Sequence, residues 1–137
     1  MSYIVESDFI CEGLRCVVVF GDLGHRCGYV GVPKGNPLHG KDYFDPALAG
    51  VECHGGLTYS GGRNYPVLND DGLWWFGFDC DHAWDAIDID ALKSKFPDSS
   101  HLDLAELPWK REGHVWTQQE VENECRRLVQ ELKEKEK

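Results

Sequence analysis

"GLWWFGFDC", residues 72–80, has the length, aromatic content and glycine boundary of a buried strand. Side chains on a strand alternate between faces. Trp74, Phe76, Phe78 and Cys80 therefore share one face, and Trp75, Gly77 and Asp79 share the other. The phenylalanine face is the natural core. On the opposite face a carboxylate stands at the strand end, separated from Trp75 by the space at Gly77. Aromatic ring, gap and carboxylate make a wall for a planar ligand. The plainer alternative is a half-exposed Trp75 covered by a loop or by the C-terminal helix. Asp81, His82 and Asp85 follow directly. Asp79, His82 and Asp85 are three apart, so one helical turn gathers them.

Outward from this strand, "LRCVVVF" (14–20) reads as a second buried strand between Gly13 and Gly21. "RCGYVGV" (26–32) is a third, ended by Pro33; its glycines signal close backbone approach or a bulge. "PKGNPLHGKDY" is a loop. "DPALAG" (45–50) is one helical turn, with Asp45 as N-cap, Pro46 after it and Gly50 as its stop. "VECHGGLTYSGG" (51–62) reads as a strand, a glycine kink and a short continuation. Residues 88–96 suggest a short helix and 97–116 a loop. The last element is the clearest. Thr117 and Glu120 form a capping box, and Val121, Cys125, Leu128, Val129 and Leu132 fall on one helical face. The expectation is a single α+β domain over 1–137: a mainly antiparallel sheet of four or more strands, with a helix over about 117–136 packed on it and a frayed tail at 133–137. The three glycine- and aromatic-rich motif segments should meet at one rim or face of the sheet.

No apolar run approaches the roughly 18 residues of a membrane helix. The N-terminus has an early acid and no basic segment, so it does not read as a signal peptide. The six cysteines follow no compact framework and contain no CxxC pair, which favours reduced thiols and a cytoplasmic protein. The net charge of −10 argues against direct nucleic-acid binding, which needs a basic face. It leaves open mimicry of nucleic acid towards a basic protein partner.

Against that acidity one segment stands out. Between Cys16 and Leu92 there are 11 acids and four basic residues: Arg26, Lys34, Lys41 and Arg63. Three of the four lie in "HRCGYVGVPKGNPLHGK" (25–41), which has no acid. It also holds His25 and His39 and reads as a local anion site. In "HGGLTYSGGR" (54–63), the backbone of Gly55 and Gly56, the hydroxyls of Thr58 and Ser60, and Arg63 can join it, and Tyr29, Tyr43 and Tyr59 can add stacking and hydroxyl contacts; the plainer alternative is a hairpin whose glycines serve the turn. His54 is a further candidate. If 51–54 and 73–80 are neighbouring strands, His54 meets Asp79 and His82. With Asp85 these residues suit zinc or a similar divalent metal, or a metal-free acid–base pair. A Cys80/His82 nucleophile is a weaker reading.

Together, "GHRCGYVGVPKGNPLHGKDY", "HGGLTYSGG" and "WWFGFDCDHAWD", followed by a capped helix, resemble an uncharacterised family of small bacteriophage, prophage and bacterial hypothetical proteins. The resemblance implies a cytosolic accessory protein of the anti-defence kind and carries over no catalytic roles. Three functions are therefore expected in turn. The first is binding of a phosphorylated small molecule such as a nucleotide, with Trp75 or a tyrosine stacking on the base and Asp79 and His82 contacting base or sugar. The second is a metal-assisted phosphoester hydrolase using His54, Asp79, His82 and Asp85 at the same site. The third is an acidic inhibitor of a host nuclease or other defence protein.

Overall fold

A computed structural model describes residues 2–99, 102 and 112–137. Five antiparallel strands form the main sheet: β1 (Tyr3–Cys11), β2 (Leu14–Gly21), β3 (Arg26–Val32), β4 (Tyr59–Gly61) and β5 (Trp74–Asp79), in the order β1-β2-β3-β5-β4. A two-stranded parallel ribbon pairs β6 (Asp85–Ala86) with β7 (His114–Val115). With the sheets are the helices α1 (Ile89–Lys95) and α2 (Gln118–Lys135) and a 3-10 turn at Pro46–Leu48, capped by Asp45 as expected. No helix among the described residues is long and apolar enough to cross a membrane.

The continuous apolar run of β2 is explained by burial on both faces. Cys16 and Val18 face α2, together with Val30, Phe76 and Phe78. Val17 and Val19 face the other way, into a second core with Tyr29 and Trp75. Helix α2 lays Val121, Cys125, Leu128, Val129 and Leu132 on the first face, all fully buried. Each such side chain contributes about 1.5–3 kcal/mol of burial. Gly28 makes the close approach possible: a Cβ there would sit 2.5 Å from the Phe78 ring and 2.8 Å from Cys125 Sγ. The capping box at Thr117 and Glu120 forms as expected, and the tail expected to fray from 133 is helical through Lys135.

The second core corrects the reading of Trp75 as a ligand wall. Trp75 is fully buried, and its Nε1–H donates to the buried Asp70 carboxylate at 2.9 Å. The loop carrying Tyr65, Val67 and Leu73 covers it, which is the plainer of the two alternatives. The expected strand at 51–54 is also absent: 51–58 is irregular, and only Tyr59–Gly61 pairs with β5. The loop expected over 97–116 lies largely outside the described residues, and its end contains β7. Strand β1 carries no strong sequence signal because it is an edge strand whose residues mostly remain half-exposed or exposed.

Candidate functional site

Strand β5 has a different chemistry at each end. At its C-terminal end the segment Asp79–Asp85 brings His82 to both Asp79 and Asp85, through an irregular turn and not the helical turn expected. His82 Nε2 lies 3.1 Å from Asp79 Oδ1. Asp85 accepts the His82 backbone N–H at 3.0 Å, and His82 O accepts the Asp85 N–H at 3.0 Å. His54 joins them from a loop, not from a strand. Its Nε2 lies 2.8 and 2.9 Å from the two Asp85 oxygens, and its ring centroid is 5.6 Å from that of His82. A carboxylate accepts, so His54 donates its Nε2–H to Asp85. Two contacts hold the ring: its backbone N–H donates to Glu124 of α2 at 2.6 Å, and Trp116 packs on it at 4.1 Å. Gly55 lies directly under His82, since a Cβ there would fall 2.1 Å from His82 Nε2.

Each of His25, His54, His82 and His114 has a carboxylate oxygen within 3.1 Å. The approach of His82 to Asp79 falls outside hydrogen-bond geometry, which leaves the buried Nε2 without a hydrogen bond. Among the described residues no three His, Cys, Asp or Glu side chains are arranged to hold a metal ion. A cavity of about 370 Å³ opens on this cluster, lined by His25, Asp81, His82, Trp84, Asp85 and Glu112. Three carboxylates on its wall make it a poor site for phosphate. The arrangement is one that can hold or move a proton at His54. Cys80 adds no nucleophile to it, because burial raises its thiol far above the ordinary value and keeps it protonated at neutral pH.

At the N-terminal end of β5 lies a cavity of about 690 Å³. Lys34 and His39 enter it from the loop after β3, Ser60 and Arg63 from β4 and its continuation, and Trp74 from β5. Among the described residues no carboxylate lines it. Asp70, close in sequence, is turned inward to Trp75 Nε1 and the Gly72 N–H. Lys34 and Arg63 are exposed, and neither has an ion-pair partner among the described residues. His39 is held by donating Nε2–H to Gly72 O at 2.8 Å. The Trp74 indole is fixed by donation to Lys41 O at 2.8 Å. Ser60 Oγ accepts the Tyr43 N–H at 3.0 Å, and its own proton is free to donate.

The single site expected from sequence is thus divided. Arg26 is not presented to a ligand. Its guanidinium is enclosed by Glu6 at 2.6 and 3.1 Å, Asp88 at 2.6 Å and Trp116 O at 3.0 Å, and it lies 4.8 Å from the Phe20 ring centroid. Lys41 does not line the basic cavity; its carbonyl accepts the N–H of the Trp74 indole, which does. In the "HGG" backbone the His54 N–H donates to Glu124 and the Gly56 N–H to Cys53 O at 2.9 Å, so neither is offered to an anion. The Thr58 N–H likewise donates to Gly77 O at 2.8 Å. Tyr59 lines the basic cavity while its ring packs edge-on against Tyr29 and Tyr65. Asp79, His82, His54 and Asp85 stand at the other end of the strand, roughly 17 Å away at about 3.3 Å per residue.

Of the two β5 indoles, Trp74 and not Trp75 is accessible. Strand period places Trp74 correctly on the core face, but it is the first residue of β5, where the core ends. His25 and His39 draw their roles from the turns that carry them, which no spacing rule in the sequence marks. No protein-family model, no characterised protein and no solved structure matches the chain.

Proposed function

We propose that this protein binds a small phosphorylated molecule, most simply a nucleotide, in the cavity between Lys34 and Arg63. One observation carries the reading: in a chain of net charge −10, Lys34 and His39 from one loop and Arg63 from another segment line one cavity, and among the described residues neither cation has an ion-pair partner and no carboxylate joins the lining. Lys34 and Arg63 supply charge-assisted hydrogen bonds to phosphate oxygens. Ser60 Oγ–H adds a neutral donor. Trp74 offers the edge or face of its indole to a base. The family resemblance adds a setting, in which such a protein sequesters a nucleotide signal of a bacterial defence system.

Binding without turnover is the better reading of this cavity. The His54–Asp85 pair stands at the far end of β5, too distant to act on a phosphate held by Lys34, and His39, the imidazole that lines the cavity, is tied through Nε2–H to Gly72 O. Calorimetric titration with inorganic phosphate and with mono-, di- and cyclic nucleotides tests the proposal. At least one nucleotide should bind below the millimolar range. Lys34→Gln and Arg63→Gln should each weaken it about tenfold, the equivalent of 1.4 kcal/mol. No binding across the whole panel, or binding that ignores both substitutions, overturns the reading.

A further inference from the structure

A third cavity, of about 350 Å³, lies on the sheet face opposite α2 and is separate from the basic one. Register explains its construction. Val19 pairs with Cys27, and Cys27 pairs with Asp79, so an aliphatic group, a thiol and a carboxylate follow one another across three strands on the same face. Leu23 supplies a further apolar wall from the β2–β3 turn. Tyr65 closes the other side, held edge-on to Tyr3 at 5.3 Å, while the Tyr3 hydroxyl donates to Pro66 O at 2.8 Å.

Among the described residues, its acidic groups are two aspartates. Asp79 and Asp81 line the cavity and are linked, the Asp81 N–H donating to Asp79 Oδ1 at 3.1 Å. His25 lines it too, with Nε2 3.0 Å from Asp81 Oδ1 and with Nδ1 buried and without a hydrogen bond. Apolar walls meeting a few convergent polar groups are the ordinary composition of a small-molecule site. Here the two carboxylates, Asp79 and Asp81, bear negative charge, so they repel an anion and pair with a cation. The volume is at the small end of the range of about 300–1,000 Å³ for such sites.

We infer that this cavity binds a small organic ammonium: an aromatic ring of single-ring size seated between Val19, Cys27 and Tyr65, with its charged nitrogen on Asp79 and Asp81. The inference does not depend on the phosphate site, which uses none of these residues.

Phenethylammonium is the probe. Titrated into the ¹⁵N-labelled protein, it should shift the backbone amides of Leu23, Cys27, Asp79 and Asp81 together and saturably. Phenylacetate, with the same ring and the opposite charge, and ethylammonium, with the charge and no ring, should leave them in place. Asp81→Asn alters an exposed side chain and should weaken binding at least fivefold. Cys27→Phe should fill the cavity and abolish binding, with a melting curve to establish that the variant is folded. Equal binding of phenylacetate, equal shifts with ethylammonium, or binding that survives both substitutions overturns the inference.

Discussion

Replacing Arg26 with methionine tests whether this residue is structural or free for a ligand. Its guanidinium bridges β1, β3, the N-cap of α1 and the carbonyl of Trp116. The Glu6 side chain beneath it is only 2% exposed. Arg26→Met therefore leaves a buried carboxylate with Lys95 as its one remaining cation. Breaking a buried pair from one side costs about 3–5 kcal/mol. At about 3–4 °C per kcal/mol for a chain of this size, the melting temperature should fall by roughly 10–20 °C. The double variant Arg26→Met/Glu6→Met removes both charges and should recover most of the loss. The loss should also depend on pH. Burial raises the Glu6 carboxyl, but hydrogen bonds and charge from Arg26 and Lys95 outweigh it and hold the group below its ordinary 4.5. A depressed carboxyl adds stability above its unfolded value and loses it as pH falls through the folded one. The gap between wild type and Arg26→Met should therefore narrow from about pH 5 downwards. Melting curves by circular dichroism at several pH values read this directly. A variant melting within about 2 °C of wild type at neutral pH would refute the reasoning.

Other outcomes follow from the core and the thiols. Gly28→Ala should destabilise by about 1–3 kcal/mol through its clash with Phe78 and Cys125, measured by urea unfolding. Leu128→Ala, which truncates a fully buried side chain of α2, should cost about 2–5 kcal/mol in the same assay. Burial pushes the thiols of Cys16 and Cys53 up to about 12 and that of Cys27 up to about 11. At pH 7.5 in the folded protein, iodoacetamide followed by mass spectrometry should therefore modify Cys11 first and Cys16, Cys80 and Cys125 last. Rapid modification of Cys80 would contradict its placement.

The sheet and α2 are legible in the sequence because their signals are periodic. The run Cys16–Phe20, the alternation over 74–80 and the helical spacing from Val121 to Leu132 each repeat one pattern several times. Strand β1 repeats a pattern too weak to see, since an edge strand buries little. The site is only half legible. Spacing correctly gathers Asp79, His82 and Asp85, because it is a local property of one turn. His54 joins them through Glu124 and Trp116, contacts that no local pattern encodes. Arg26 is misleading because a buried arginine and a phosphate-binding arginine look alike until Glu6 and Asp88 are seen beside it. Trp75 misleads because strand period gives the face of a residue but not what covers that face.

The division of β5 into an anion-binding end and a His–Asp end is tested by two double variants, each titrated with the tightest nucleotide found. Lys34→Gln/Arg63→Gln should weaken binding about a hundredfold, two steps of 1.4 kcal/mol. His54→Asn/Asp79→Asn should leave the dissociation constant unchanged within about twofold, a difference under 0.5 kcal/mol. If the second pair abolishes binding and the first does not, the phosphate lies at the other end of the strand and the account is wrong.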